Sequence, residues 1–209
     1  MFIIFEGPDG SGQSTQAKLL KKYLEEEKKL AVVLTKEPIN KPPLGNLIRR
    51  ILKKEISVQP LTLQLLFCAD RNEHLNTVIK PALKKKGWII SDRYFYSTIA
   101  YGSLDLNIDP STPLRVNPEF NRRIEWLIKI NELFLRPDIV FLLRVRPEIY
   151  LEKIDKNRGK RQFFEKQQKL EKVLKTYEIL SRQFSNIQMI DGEKNIQEVH
   201  QKIIKKLNL

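Results

Sequence analysis

The sequence predicts a layered α/β fold built on a mostly parallel five-stranded sheet. Three observations carry that expectation. Five short apolar runs of strand length recur along the 209 residues. Segments of helical spacing separate them. A glycine-rich stretch, Gly7 to Thr15, then joins the first strand to the first helix. Strands that alternate with helices lie parallel and leave the helices on both sheet faces, which gives three layers.

Phe2–Phe5 is a short buried strand. Ser14–Lys29 follows as a helix, with Ala17, Leu20 and Leu24 on one stripe and Lys and Glu elsewhere. Ala31–Thr35 reads as the second strand, and Leu44–Lys54 and Pro60–Ile79 as helices that end before Pro81. Trp88–Ser91, after Gly87, is the third strand. Asn117–Glu132 is helical, Ile139–Leu143 is a strand, and Pro147–Lys156 is a helix that Pro opens at its first turn. Phe164–Arg182 is a long amphipathic helix, Ile187–Ile190 the last strand and Asn195–Leu207 the closing helix. Pro38–Pro43 and Asp105–Pro118 read as surface loops. No internal repeat and no Gly/Ser linker divides the chain, so residues 1–209 are expected to form one domain.

Composition narrows the function classes. Hydrophobic residues make up 41% and charged residues 30%, enough for a core and too apolar for wholesale disorder. The net charge of +13 favours anionic partners without choosing among them. One cysteine, Cys68, excludes an intramolecular disulfide framework. With two histidines, His74 and His200, a Cys₂His₂ or Cys₄ zinc site is excluded as well. No apolar run approaches bilayer length, and the N-terminus lacks a signal-peptide pattern. The expectation is a soluble, reduced, cytoplasmic protein with no membrane partner.

The most informative segment is Gly7-Pro8-Asp9-Gly10-Ser11-Gly12-Gln13-Ser14-Thr15. It lies between a strand and a helix, which is the context of a phosphate-binding loop. Glycines let the backbone wrap a phosphate, and exposed N–H groups and the helix N-terminus then stabilise its charge. Ser14 falls where a hydroxyl ligates Mg²⁺. The expected class is a three-layer P-loop NTPase fold, with ATP and Mg²⁺ as cofactors; the alternative for this segment alone is a Gly-rich strand-to-helix turn that holds no ligand. The pattern Gly-x₄-Gly-Lys-Ser/Thr is met except at Gln13, which stands in the lysine's place. Gln donates a hydrogen bond but brings no charge to the phosphates.

Further residues join this loop. Asp92-Arg93-Tyr94 follows the third strand, at the end of a parallel sheet where ligands bind. There Arg93 can clamp a phosphate and Asp92 can hold Mg²⁺ through water; a strand-end salt bridge is the plainer reading of the pair. Phe67 and Arg71 are four apart on a helix and share a face. Together they suit a mononucleotide, or else are a core aromatic beside a surface arginine. Arg158-Gly159-Lys160-Arg161 forms a basic loop, a lid over roughly residues 156–165 or an ordinary solvated charge run. Cys68 reads as a small buried apolar residue, and the two histidines have no partner set visible in the sequence.

Taken in order, these segments resemble the thymidylate kinase family. Phe5–Gly12 is similar to its Phe-Glu-Gly-x-Asp-Gly-x-Gly opening, and Lys36-Glu37-Pro38 to its Arg-Glu-Pro turn. Gly45–Leu52 resembles Gly-x-x-Ile-Arg-x-x-Leu, and Phe67–His74 resembles Phe-x-Ala-x-Arg-x-x-His. Asp92–Tyr101 matches Asp-Arg-Tyr-x-x-Ser-x-x-Ala-Tyr, the most specific segment, and Arg136-Pro137-Asp138 precedes the fourth strand as in the family. The resemblance implies transfer of the ATP γ-phosphoryl group to dTMP, giving dTDP and ADP.

It also implies roles. Asp9 would bind the sugar 3′-hydroxyl beside the transferring phosphate. Phe67 would stack on thymine, and Arg71 and Thr98 would contact its edge. Arg93 and Arg49 would hold the acceptor phosphate, and Tyr101 would crowd the 2′ position. Glu37 and Pro38 would lie near dTMP, and Arg158 and Arg161 would reach the phosphates from the lid. A homodimer through a helical face is implied as well. The chain departs from the family at Gln13, Lys36, Ile39-Asn40, Gly102, Arg144 and the lid sequence 160–165. Gln13, inherited or introduced, keeps open a nucleotide-binding protein with impaired catalysis. The net charge raises a nucleic-acid binder, for which no aromatic-interleaved basic stripe is present.

Overall fold

The computed structural model describes residues 1–39, 41–106, 119–149 and 160–207. One sheet organises them. Its strands are β1 (Phe2–Glu6), β2 (Val32–Lys36), β3 (Trp88–Asp92), β4 (Ile139–Arg144) and β5 (Ile187–Asp191), in the order β2-β3-β1-β4-β5. Every pairing is parallel. Around them run α1 (Gln13–Glu26), α2 (Leu44–Leu52), α3 (Pro60–His74), α4 (Lys80–Lys84), α5 (Phe95–Asp105), α6 (Glu119–Asn131), α7 (Lys160–Gln183) and α8 (Ile196–Leu207).

Period-2 alternation along β1 divides the core between the two sheet faces. Phe2 and Ile4 join a cluster with Leu75, Ile99, Leu127 and Tyr177, under α5, α6 and α7. Ile3 and Phe5 join Ala17, Leu20, Leu24, Val199 and Ile203, under α1 and α8. β1 is buried at all five positions, as a central parallel strand must be.

The register sets up the site. Phe5 on β1 lies opposite Asp92 on β3. The glycine loop after β1 and the Asp92–Arg93 corner after β3 therefore leave the sheet side by side, and Arg93 N donates to Phe5 O at 3.0 Å. This is the carboxyl edge of an open parallel sheet, where α/β folds place their ligands.

The fold class stands as expected, with three corrections. The helix from Pro60 does not end at Ile79. It passes through a π-helical turn, Leu75–Ile79, and continues as α4 beyond Pro81. The wide turn resets the hydrogen-bond register, so Pro81 falls in the first turn of α4, where its missing N–H costs no bond. A whole helix, α5, arises from a segment in which the sequence showed none. The helix expected from Phe164 already begins at Lys160, so Lys160 and Arg161 belong to its first turn, not to a connecting loop. The expected loop through Pro118 and most of the helix Pro147–Lys156 lie outside the described residues. Among the described residues no helix is long and apolar enough to cross a membrane.

Candidate active site

The loop from Gly7 to Ser14 is a backbone structure. Gly12 precedes α1 with φ 94° and Gly7 has φ 154°, conformations that side chains disfavour. A Cβ on Gly7 would also run into Ser11 Oγ and sit 2.7 Å from Leu143 O. Gln13 is 4% exposed and turns inward. Its Nε2 donates to Gly7 O at 3.1 Å, and its Oε1 accepts from Ser11 Oγ at 2.7 Å. The carboxamide thus ties the start of the loop to its middle, instead of reaching out toward a phosphate.

Ser14, the second residue of α1, faces the cleft and donates its hydroxyl to Asp92 Oδ2. A hydroxyl beside a carboxylate, at the mouth of a phosphate loop, is a hard-oxygen set of the kind Mg²⁺ takes along with waters and phosphate oxygens. The cleft lined by Asp9, Gly10, Gly12, Gln13, Ser14, Thr15, Asp92 and Arg93 measures about 410 Å³. Ser11 and Pro8 are buried beneath it.

Arg93 stands at the corner after β3 with φ 75°, an uncommon backbone for a non-glycine residue. Its Nη1 donates to Gly7 O at 3.2 Å and to Ser97 Oγ at 2.7 Å. Its Nη2 meets Asp9 Oδ1 at 2.6 Å. Tyr101 lies under the guanidinium, 5.6 Å from ring centroid to Cζ, and its hydroxyl accepts from Asp9 N at 3.0 Å.

A second cavity, of about 360 Å³, opens from the same corner between α3 and α5. Phe67, Arg71, Thr98, Tyr101, Glu37 and Pro38 line it, together with Asp9 and Arg93. Arg71 is 1% exposed. Its Nε donates to Glu37 Oε2 at 2.9 Å, its Nη1 to Asn131 Oδ1 at 2.6 Å and its Nη2 to Thr98 Oγ1 at 2.9 Å. Glu37 Oε1 is 3.1 Å from His74 Nδ1, and His74 Nε2 is 2.7 Å from Thr35 Oγ1. Tyr94 and Phe134 lie 5.2 and 5.5 Å from the guanidinium. This wall is a closed network of side chains contributed by β2, α3, α5, α6 and the segment after β2.

Glu6, the last residue of β1, is fully buried under both cavities. Its Oε1 accepts from the backbone N–H of Tyr94 and Ser97 at 2.8 and 3.2 Å, which caps α5. Its Oε2 accepts from Ser97 Oγ and, at 2.9 Å, from Tyr177 OH on α7. Burial raises its pKa from 4.5 to about 7, against the opposing pull of Arg93 and these hydrogen bonds. One carboxyl group therefore joins the sheet, the Arg93 corner and α7.

Comparison with known proteins shows the family. A family profile described as thymidylate kinase matches residues 5–203. The chain belongs to the thymidylate kinase family. A probable thymidylate kinase of Thermococcus kodakarensis is 38% identical over 215 residues, covering 98% of this chain and 95% of that protein. One of Methanocaldococcus jannaschii is 39% identical, covering 98% and 94%. The crystal structure of thymidylate kinase from Ehrlichia chaffeensis superposes with a TM-score of 0.73 at 31% identity, covering 100% of this chain and 98% of that one.

Most residues that the sequence singled out meet at this one corner. The loop residues, Asp92 and Arg93 form the cleft, and Asp9, Glu37, Pro38, Phe67, Arg71, Arg93, Thr98 and Tyr101 line the cavity. Arg49 stands to one side, donating to Pro38 O at 3.2 Å and Ile39 O at 2.6 Å. Arg158 lies outside the described residues, and of Arg161 the helical backbone alone is described. Arg71 is no surface arginine, and His74, which had no visible partner, has two. Cys68 is half-buried, not fully so. Sequence reasoning missed Glu6, Ser97, Asn131 and Tyr177, whose partners lie tens of residues away. Glu6 and Ser97 stood in the family-like segments with no role assigned, and the physical signal for Glu6 was an acid ending an otherwise apolar buried strand, an expensive placement unless paired.

Proposed function

We propose that this protein transfers the γ-phosphoryl group of ATP to the 5′-phosphate of dTMP, giving dTDP and ADP. One observation carries the reading. Asp9 and Arg93 line both the loop cleft and the α3–α5 cavity, so a nucleotide in each would bring its phosphates to the same two side chains. In-line transfer asks the protein for positioning and charge neutralisation more than for covalent chemistry.

ATP binds in the loop from Gly7 to Thr15, with its phosphates on the backbone N–H groups that line the cleft at the N-terminus of α1. Ser14 and Asp92 would hold Mg²⁺, which would supply charge neutralisation at the phosphate oxygens. Arg93 is the fixed cation between donor and acceptor, held in place by Gly7 O, Ser97 and Asp9. Asp9 lies where the sugar 3′-hydroxyl of dTMP comes down. Phe67 stacks on the thymine, Thr98 has a hydroxyl hydrogen left to donate to its edge, and Tyr101 crowds the 2′ position. Arg71 shapes this wall by holding Glu37 and Thr98. Arg49 supports the Pro38–Ile39 turn and lies near the acceptor phosphate. Arg158 and Arg161, before and within the first turn of α7, supply the charge that the inward-turned Gln13 does not. A homodimer is supported by the exposed Leu61 and Leu65 on α3 and Leu133 beyond α6.

Coupled ADP release with ATP, Mg²⁺ and dTMP tests the reading. Turnover that requires dTMP and falls about 10²–10³-fold in Arg93→Ala is expected. Tight nucleotide binding with no ADP release would overturn it.

A further inference from the structure

Gln64 lies on α3 one turn before Phe67 and two turns before Arg71, on the face that lines the α3–α5 cavity. It is 5% exposed, yet its Oε1 has no hydrogen-bond partner among the described residues. Buried amide groups are almost always paired in native proteins, so an orphan facing a cavity calls for a partner from outside the chain. Its neighbours have little to offer. Arg71 is committed to Glu37, Asn131 and Thr98. Across the cavity, α5 presents Gly102 directly to the carboxamide. A Cβ on residue 102 would lie 2.7 Å from Gln64 Oε1, 2.8 Å from Cδ and 2.9 Å from Nε2. A bare backbone thus makes room for a carboxamide whose Oε1 no described residue pairs.

We propose that Gln64, seated against Gly102, is a specificity-determining residue that hydrogen-bonds the edge of the pyrimidine base in the α3–α5 cavity. This rests on the dTMP reading above. A carboxamide offers an acceptor beside a donor, and the N3–H and C4=O of a thymine-type imide offer the matching pair. Thr98, whose oxygen already accepts from Arg71, keeps its own hydrogen for a second base oxygen. Gly102 acts indirectly: any side chain there displaces the carboxamide.

The test is a four-member cycle of the parent, Gln64→Ala, Gly102→Ala and the double variant. Steady-state kinetics with dTMP and ATP and melting temperatures with and without dTMP are read for each. At the low end of the range for neutral hydrogen bonds, loss of this pair corresponds to about a tenfold weakening. Each single variant is expected to raise KM for dTMP about tenfold, with kcat and KM for ATP near the parent's. The double variant should match Gln64→Ala, because the three atoms nearest that Cβ all belong to the Gln64 carboxamide. Melting temperatures without nucleotide should not fall in Gln64→Ala, since no internal hydrogen bond is lost. A parent that binds dTMP alongside a Gln64→Ala variant that binds it equally well overturns this inference alone. Additive losses in the double variant do so too. A parent whose melting temperature ignores dTMP overturns the dTMP reading and this inference with it.

Discussion

The two halves of the site are built from different materials. The acceptor cavity is walled by side chains that are already bound to one another: Arg71 to Glu37, Thr98 and Asn131, and Glu37 to His74. The donor cleft is floored by the backbone of the glycine loop, which the small Gln13 carboxamide ties between Gly7 and Ser11. Shape on the acceptor side is therefore fixed before a ligand arrives. On the donor side charge must come from elsewhere, and Arg93 is the described cation positioned between the two. A site that discriminates bases needs rigid side-chain geometry, whereas triphosphate recognition needs N–H groups and charge. The difference in construction follows the difference between the two ligands proposed for them.

Breaking the junction should cost most. Arg93→Ala removes the one described cation that lines both halves, and kcat should fall about 10²–10³-fold while the fold persists, as circular dichroism would check. Breaking the acceptor wall should instead cost stability. Arg71→Leu leaves Glu37 buried without its arginine, and denaturant unfolding should show a loss of about 3–5 kcal/mol. Equal stability would mean that the network is ornamental.

The support beneath both halves gives a pH signature. The pKa of Glu6 is raised to about 7, so between pH 4.5 and 7 the folded state keeps a proton that the unfolded chain releases. Its contribution to stability is present in full below pH 4.5 and is lost as pH rises through 7. The size is roughly 3 kcal/mol over that window. Urea unfolding of Glu6→Gln against the parent, from pH 4.5 to 8, should show that slope flattened. Parallel curves would contradict the assignment. The smallest effect should come from the donor tie: Ser11→Ala loses one hydrogen bond to Gln13, about 1 kcal/mol, and should weaken ATP binding less than Arg93→Ala slows turnover. A larger effect on ATP would show the loop to be as pre-formed as the acceptor wall.

What was legible in the sequence was local. The glycine loop, Asp92-Arg93 and the Phe67/Arg71 spacing each occupy a few consecutive residues, and the parallel α/β fold follows from their order. What was hidden depends on distant partners. Helix α5 reads poorly because Phe95–Asp105 mixes aromatic, β-branched and glycine residues of modest helix propensity. Its N-terminus is capped by Glu6, some 90 positions earlier, which no local pattern reveals. His74 looked partnerless for the same reason, since Glu37 and Thr35 reach it through the fold. Gln13 was visible as a departure, but that its amide turns inward required the backbone.

The central claim is that residue 13 ties the loop while Arg93 and the basic residues at the start of α7 carry the charge. Coupled ADP release from the parent and from Gln13→Lys, side by side with ATP, Mg²⁺ and dTMP, tests it most directly. The account predicts turnover in the parent and a gain below about tenfold, or 1.4 kcal/mol, in the variant. A silent parent that Gln13→Lys raises by about 10²-fold or more would contradict it, because the missing lysine would then be the charge the site lacks.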